Sequence, residues 1–180
     1  RDLISQGAEI DSFGVGERLV TSKSEPVFGG VYKLSAVEEN GEIIPKIKLS
    51  ENTSKITNPS YKEVWRLFDN STGMAIADVI TVAGEVIDNT KPYVIFNPEQ
   101  IYKRKTITNF TAKKLQVQLF KNGECIYNLP AVQKIKEYCK EQLSLIWDEV
   151  KRFENPHEYY VDLSQKLWDI KNNLLNKYFN

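Results

Sequence analysis

At 180 residues the chain has the length of about one ordinary domain, with an average share of apolar residues and enough of them to bury a sizeable core. Its 24 basic and 24 acidic residues cancel, which removes any overall drive toward nucleic acid or an anionic membrane and leaves only local anion sites. No apolar run approaches the ~20 residues that span a bilayer, residues 1–7 carry no signal-peptide pattern, and Cys125 and Cys139 lack metal-ligand or disulfide-framework spacing. A soluble, intracellular, globular protein with two reduced thiols is expected. Arg1 in first place, with Met74 as the only methionine, leads us to expect further sequence upstream.

Residues 1–6 read as the end of a helix, with Leu3 and Ile4 as its apolar edge and Gly7 as a left-handed cap. Residues 8–13 alternate in polarity like a strand, run into Gly14-Val15-Gly16, and meet a helix start over 17–21. From Val27 the pattern changes to hairpins, so a boundary is expected over 24–28. Strands over 31–37 and 43–49 flank Asn40-Gly41, a pair suited to a type I′ turn. Strands over 64–68 and 74–82 flank Asp69-Asn70-Ser71-Thr72-Gly73, and those over 115–120 and 125–127 flank Asn122-Gly123.

The last third is helical. Val132, Ile135, Cys139, Leu143, Ile146, Val150 and Phe153 recur at spacings of three and four, which predicts a buried stripe. Asn155-Pro156 interrupts it, and Leu163, Leu167, Ile170 and Leu174 form a second stripe that begins near Ser164. The fold class is therefore α+β: strand and helix elements of α/β type, an antiparallel hairpin sheet and two C-terminal helices.

Gly14-Val15-Gly16 ahead of a helix is the leading candidate site, because glycines let the backbone approach a phosphate while unpaired amides point toward it. Arg18 and Lys23 would add positive charge there and Glu17 would oppose it. If 8–13 is a late strand of an α/β barrel, this turn lies on the face where such barrels often bind phosphate. The short motif alone matches an ordinary tight turn as well.

The cluster Lys103-Arg104-Lys105 with Lys113-Lys114 reads as a solvated sheet face, since Lys114, Gln116 and Gln118 alternate with Leu115, Val117 and Leu119. No nucleic-acid partner and no membrane contact are expected. His157 is the only histidine, which excludes a multi-histidine metal site; it is placed in a helix-start turn. Asp11 has no partner acid or nucleophile in the sequence, and Asp162 reads as a charge near a helix N-terminus.

The runs Ile10-Asp11-Ser12-Phe13-Gly14-Val15-Gly16 and Pro26-Val27-Phe28-Gly29-Gly30-Val31-Tyr32-Lys33-Leu34 resemble the nicotinate phosphoribosyltransferase family. So do Pro45-Lys46-Ile47-Lys48-Leu49-Ser50-Glu51-Asn52, Lys55-Ile56-Thr57-Asn58-Pro59, and the stretch from Trp147 through Phe153-Glu154-Asn155-Pro156-His157-Glu158-Tyr159-Tyr160-Val161-Asp162-Leu163-Ser164. The resemblance runs in order along essentially the whole chain.

It implies the C-terminal part of a cytoplasmic, homodimeric enzyme of NAD salvage that makes nicotinate mononucleotide from nicotinate and phosphoribosyl pyrophosphate with ATP hydrolysis, magnesium accompanying the pyrophosphate. Residues 1–26 would be the end of an α/β barrel carrying the phosphate-binding turn. Residues 27–180 would be a C-terminal α+β domain, with the hairpin sheet over 27–128 and helices over 130–178. Gly14, Val15, Gly16, Glu17 and Arg18 would bind the phosphoribosyl phosphate. The family often has threonine where Glu17 stands, so its hydroxyl is lost and only the backbone amide carries over. The family's phosphorylated histidine and base-binding residues fall upstream, so neither a catalytic residue nor a metal or cofactor ligand is expected here.

Overall fold

The computed structural model divides the chain into two compact units, Arg1–Lys33 and Leu34–Asn180, and describes residues 2–27, 29–52 and 55–179. Arg1, in the expected helix end, and Phe28, in the expected boundary, lie outside those residues.

In the first unit, helix α1 (Asp2–Ser5) stops at Gly7, whose φ of 85° is the left-handed angle the sequence predicts. The Gly7 amide donates to the Ile4 carbonyl at 3.0 Å and the Ala8 amide to the Leu3 carbonyl at 2.9 Å, which satisfies carbonyls that the helix end leaves open. Residues 8–13, expected as a strand, are irregular. A strand persists only through ladder hydrogen bonds, and none of the described residues of this unit forms one with it. Helix α2 (Glu17–Val20) follows, capped by Gly16 at its start and Thr21 at its end.

The second unit opens with strands β1 (Ala36–Glu39) and β2 (Glu42–Pro45), joined through Asn40 and Gly41 at φ of 54° and 81°. Both central residues take the positive angles of the expected type I′ turn. The pairing is shorter than predicted, and beyond it the Lys46 amide reaches the Ser35 carbonyl at 2.8 Å.

The central sheet is built on β3 (Lys62–Asp69) and β4 (Ala75–Val82), the hairpin read from the sequence, with β7 (Phe110–Lys114) antiparallel to β3. Two elements were not anticipated. Strands β5 (Tyr93–Phe96) and β6 (Arg104–Ile107) form a separate antiparallel pair. Strand β10 (Val161–Leu163) adds to the central sheet parallel to β4, giving the order β10-β4-β3-β7. The hairpin around Asn122-Gly123 shrinks to β8 (Phe120–Lys121) and β9 (Glu124–Cys125).

Leu67, Ala77 and Val79 on one face of the central sheet pack with Ile87, Ile95, Ile107 and Phe110 to form the core. Trp65 and Ala112 share the Leu67 face by register and pack against it.

Helix α4 (Gln165–Phe179) starts directly after Ser164, where the sequence places it. The Ser164 hydroxyl accepts the Leu167 amide at 3.2 Å, an N-terminal cap, and Leu167 is fully buried. Trp168 meets Phe96 edge-on with ring centroids 6.0 Å apart.

Helix α3 (Val132–Ser144) corrects the sequence reading. It is shorter than the stripe that predicted it, and it buries none of its residues: Val132 is 81% exposed, Leu143 51%, and Phe153 beyond its end 75%. The spacing makes a helix with one apolar face, and the second unit does not cover that face. Val132→Asp should accordingly change the chain's unfolding free energy by less than about 0.5 kcal/mol in a urea titration. A loss of several kcal/mol would show the face to be packed after all.

Candidate functional site

The glycine turn of the first unit is fully solvated: Gly14, Val15, Gly16, Glu17 and Arg18 are all exposed. Gly16 has φ −92° and ψ 173°, an extended backbone that any residue adopts. A Cβ built on Gly14 or Gly16 would meet nothing within 4 Å. Neither glycine is therefore required by the local fold. The Leu19 and Val20 amides donate to the Gly16 carbonyl at 3.1 and 3.3 Å, which leaves the Glu17 and Arg18 amides at the helix start, where no carbonyl lies one turn back. Such amides are donors for an incoming anion. Lys23 is close in sequence and exposed, and Asp11 is exposed as well.

The second unit contains a polar arrangement that the sequence reading missed. Arg66 and Asp78 face each other across β3 and β4, and the guanidinium grips the carboxylate at both oxygens, Nε to Oδ1 at 2.8 Å and Nη2 to Oδ2 at 2.9 Å. The Tyr159 hydroxyl donates to Asp78 Oδ1 at 2.9 Å, and the guanidinium lies 5.8 Å from the centroid of the Tyr159 ring. The hydrogen bonds to Asp78 hold the Arg66 cation even more firmly charged than usual, against the opposing effect of burial. Burial pushes the Tyr159 phenol well above its ordinary range, and the neighbouring Asp78 charge adds to the shift. Counting outward from the turn over 69–73 places Arg66 opposite Ile76, and it is the register shift between Leu67 and Phe68 that brings Asp78 opposite it, so the hairpin was legible in the sequence and this pair was not.

Beside it lies an open groove of about 890 Å3, lined in part by Asp69, Lys105, Trp147, His157, Glu158 and Tyr159. His157 is not in a helix-start turn. It sits in the irregular segment that leads into β10, where its amide donates to the Glu149 carbonyl at 2.9 Å. Asp162 is likewise in β10 and buried. The sequence places it close to the start of α4, but the β10 pairing with β4 draws it into the sheet. The expected solvated cations are exposed, and Lys114 pairs with Glu63 at 2.7 Å. Cys125 and Cys139 are free and exposed. Among the described residues no three His, Cys, Asp or Glu side chains stand close enough to hold a metal ion, and no helix is long and apolar enough to cross a membrane.

Residues 61–171 match the family model described as the nicotinate phosphoribosyltransferase C-terminal domain. The chain is 39% identical to nicotinate phosphoribosyltransferase of Bacillus subtilis over 170 residues, 94% of this chain and 35% of that protein. It is 36% identical to the Dictyostelium discoideum protein of the same name over 177 residues, 94% of this chain and 29% of that one. The crystal structure of human nicotinic acid phosphoribosyltransferase superimposes with a TM-score of 0.60 at 24% identity, covering 66% of this chain and 24% of that one, and so shares its fold. The chain thus spans about a third of the length of the curated relatives it matches.

Proposed function

Because the chain belongs to the nicotinate phosphoribosyltransferase C-terminal domain family, we propose that it is the C-terminal part of an enzyme that joins nicotinate to phosphoribosyl pyrophosphate. That enzyme releases nicotinate mononucleotide and pyrophosphate, couples the reaction to ATP hydrolysis, and serves NAD salvage in the cytoplasm as a homodimer. The observation that supports this best is the match to relatives of that name in order along nearly the whole chain.

Residues 8–13 are then a barrel strand whose ladder partners belong to the rest of the enzyme, and the turn after it is the chain's own contribution to the site. The Glu17 and Arg18 amides donate to the phosphate of the phosphoribosyl group, Gly14 and Gly16 keep the space above them clear, and the Arg18 guanidinium supplies charge. The Glu17 carboxylate must point away, since an anion beside phosphate costs free energy.

The catalytic groups are proposed to lie outside these residues, so the 180-residue chain should form no nicotinate mononucleotide when given nicotinate, phosphoribosyl pyrophosphate, magnesium and ATP. The full-length protein should do so with nicotinate and not with nicotinamide. Turnover by the purified chain, with contaminating enzyme excluded, would overturn the placement of the catalytic groups; a full-length protein inactive on nicotinate would overturn the activity itself.

A second reading, in which the region touches no ligand and supplies structure and subunit contacts, is favoured by one observation. The apolar face of α3 and the β8–β9 hairpin, where Phe120 is 64% exposed, remain uncovered.

A further inference from the structure

Every residue from 116 to 141 is exposed, a run that holds β8, β9 and most of α3. No hydrogen bond or ion pair of residues 117–141 reaches beyond 117–144 among the described residues. The segment nevertheless has the make-up of an interface. Phe120 and Ile126 at the hairpin, with Val132, Ile135 and Leu143 on α3, present apolar side chains to solvent. Its length falls within the range of about 20–30 residues that a stable interface uses on each side.

Helix α3 has little of its own to hold it. At 13 residues it lies in the range of about 12–15 below which an isolated helix is marginal in water. Ala131 makes no side-chain cap, and neither an acidic first turn nor a basic last turn complements the helix dipole. Its stability therefore has to come from packing the apolar stripe, and the second unit does not supply that packing. Lys136 and Lys140 border the stripe on one side, and no carboxylate forms an ion pair with either among the described residues. Two α3 helices packed antiparallel would set these lysines against their own counterparts, a costly juxtaposition of like charges. A surface on the same polypeptide carries no such penalty and faces α3 at an effective concentration that a free copy does not reach.

We propose that α3 and the hairpin before it dock against the part of the full-length protein that lies outside these 180 residues, on an apolar patch rimmed by carboxylates that pair with Lys136 and Lys140. The inference rests on the reading of the chain as part of a longer protein, since it spans 35% and 29% of two curated relatives. It does not rest on that protein's chemistry.

Hydrogen exchange and carbodiimide cross-linking of the full-length protein test it. The amides of 133–143 should exchange at least tenfold more slowly there than in the 180-residue chain. Full-length protein renatured from equal parts of isotopically light and heavy chains should then give cross-links from Lys136 or Lys140 to carboxylates outside the 180 residues, joining light to light and heavy to heavy only. Lys136→Glu should remove most of the protection. Lys134→Glu should leave it, because Lys134 lies on the opposite face, paired with Glu137 at 3.0 Å. Should Lys136→Glu fail to fold, the exchange and cross-links of the parent decide. Equal exchange in the two proteins, or cross-links that join light to heavy and so identify a second copy as the cover, would each overturn the proposal. A full-length protein inactive on nicotinate, with α3 protected as stated, would instead overturn the enzymatic reading and leave this inference standing.

Discussion

Arg66→Met should lower the stability of the chain by about 3 kcal/mol, the lower part of the range for breaking a buried ion pair by removing one partner. The side chains of Arg66 and Asp78 are only 16% and 11% exposed. Removing the guanidinium leaves a carboxylate in the sheet with one remaining donor, the Tyr159 hydroxyl. Most of the loss is thus the desolvation of Asp78, now uncompensated, and not the attraction that disappears.

A double variant tests the pair more sharply than the single one. Replacing both residues with apolar ones of similar size, Arg66→Met with Asp78→Leu, removes the stranded charge along with the pair and should recover a large part of the deficit. Urea unfolding of the two single variants and the double variant measures this. If Arg66→Met unfolds at the parental urea concentration, the pair is a solvated surface contact. If the double variant loses the sum of the two singles, the coupling assigned to the pair does not exist.

This network also shows how far the sequence could be read. The hairpins were legible because each turn is local: Asn40-Gly41 fixes the register of its pair, whereas past the turn over 69–73 a shift between Leu67 and Phe68 resets which residues stand opposite, and that shift is what pairs Arg66 with Asp78. The cap at Gly7 and the start of α4 at Ser164 were legible for the same reason: each is a local chemical event of a few residues.

What the sequence concealed depends on distant partners. Val161, Asp162 and Leu163 are too few to show a period, and they become a strand only because Asp78, Val79 and Ile80 present a free edge of β4. Asp162, read as a charge near a helix start, is therefore a buried group on that strand. Helix α3 failed in the opposite direction. Its apolar spacing is real, but spacing states that a face can be buried and not that a covering surface lies within these residues. The same limit applies to residues 8–13, whose alternation is a strand's and whose ladder is absent. At the glycine turn the sequence supplied residue types and the structure supplied their backbone angles, which removed one of two reasons for glycine there. Gly16 is not needed for its φ.

The effect of filling that position follows from this. If the full-length protein is the enzyme proposed above, Gly16→Val in it should weaken phosphoribosyl pyrophosphate binding by roughly 10²-fold through the loss of two charge-assisted amide contacts, each about 1.5–3 kcal/mol. Folding should be almost untouched, because φ −92° and ψ 173° suit a β-branched residue and the added Cβ meets nothing within 4 Å. The two quantities must be measured together, as the Michaelis constant for the donor beside a denaturation midpoint. A structural turn would show the reverse pattern, with a lowered midpoint and a parental Michaelis constant in the enzyme that remains folded, and the phosphate role of Gly14, Val15, Gly16, Glu17 and Arg18 would then be wrong. Because neither the backbone angles of Gly16 nor its neighbours within this chain oppose a side chain there, a large rise in the Michaelis constant at unchanged stability would point to an occupant of the space above these amides.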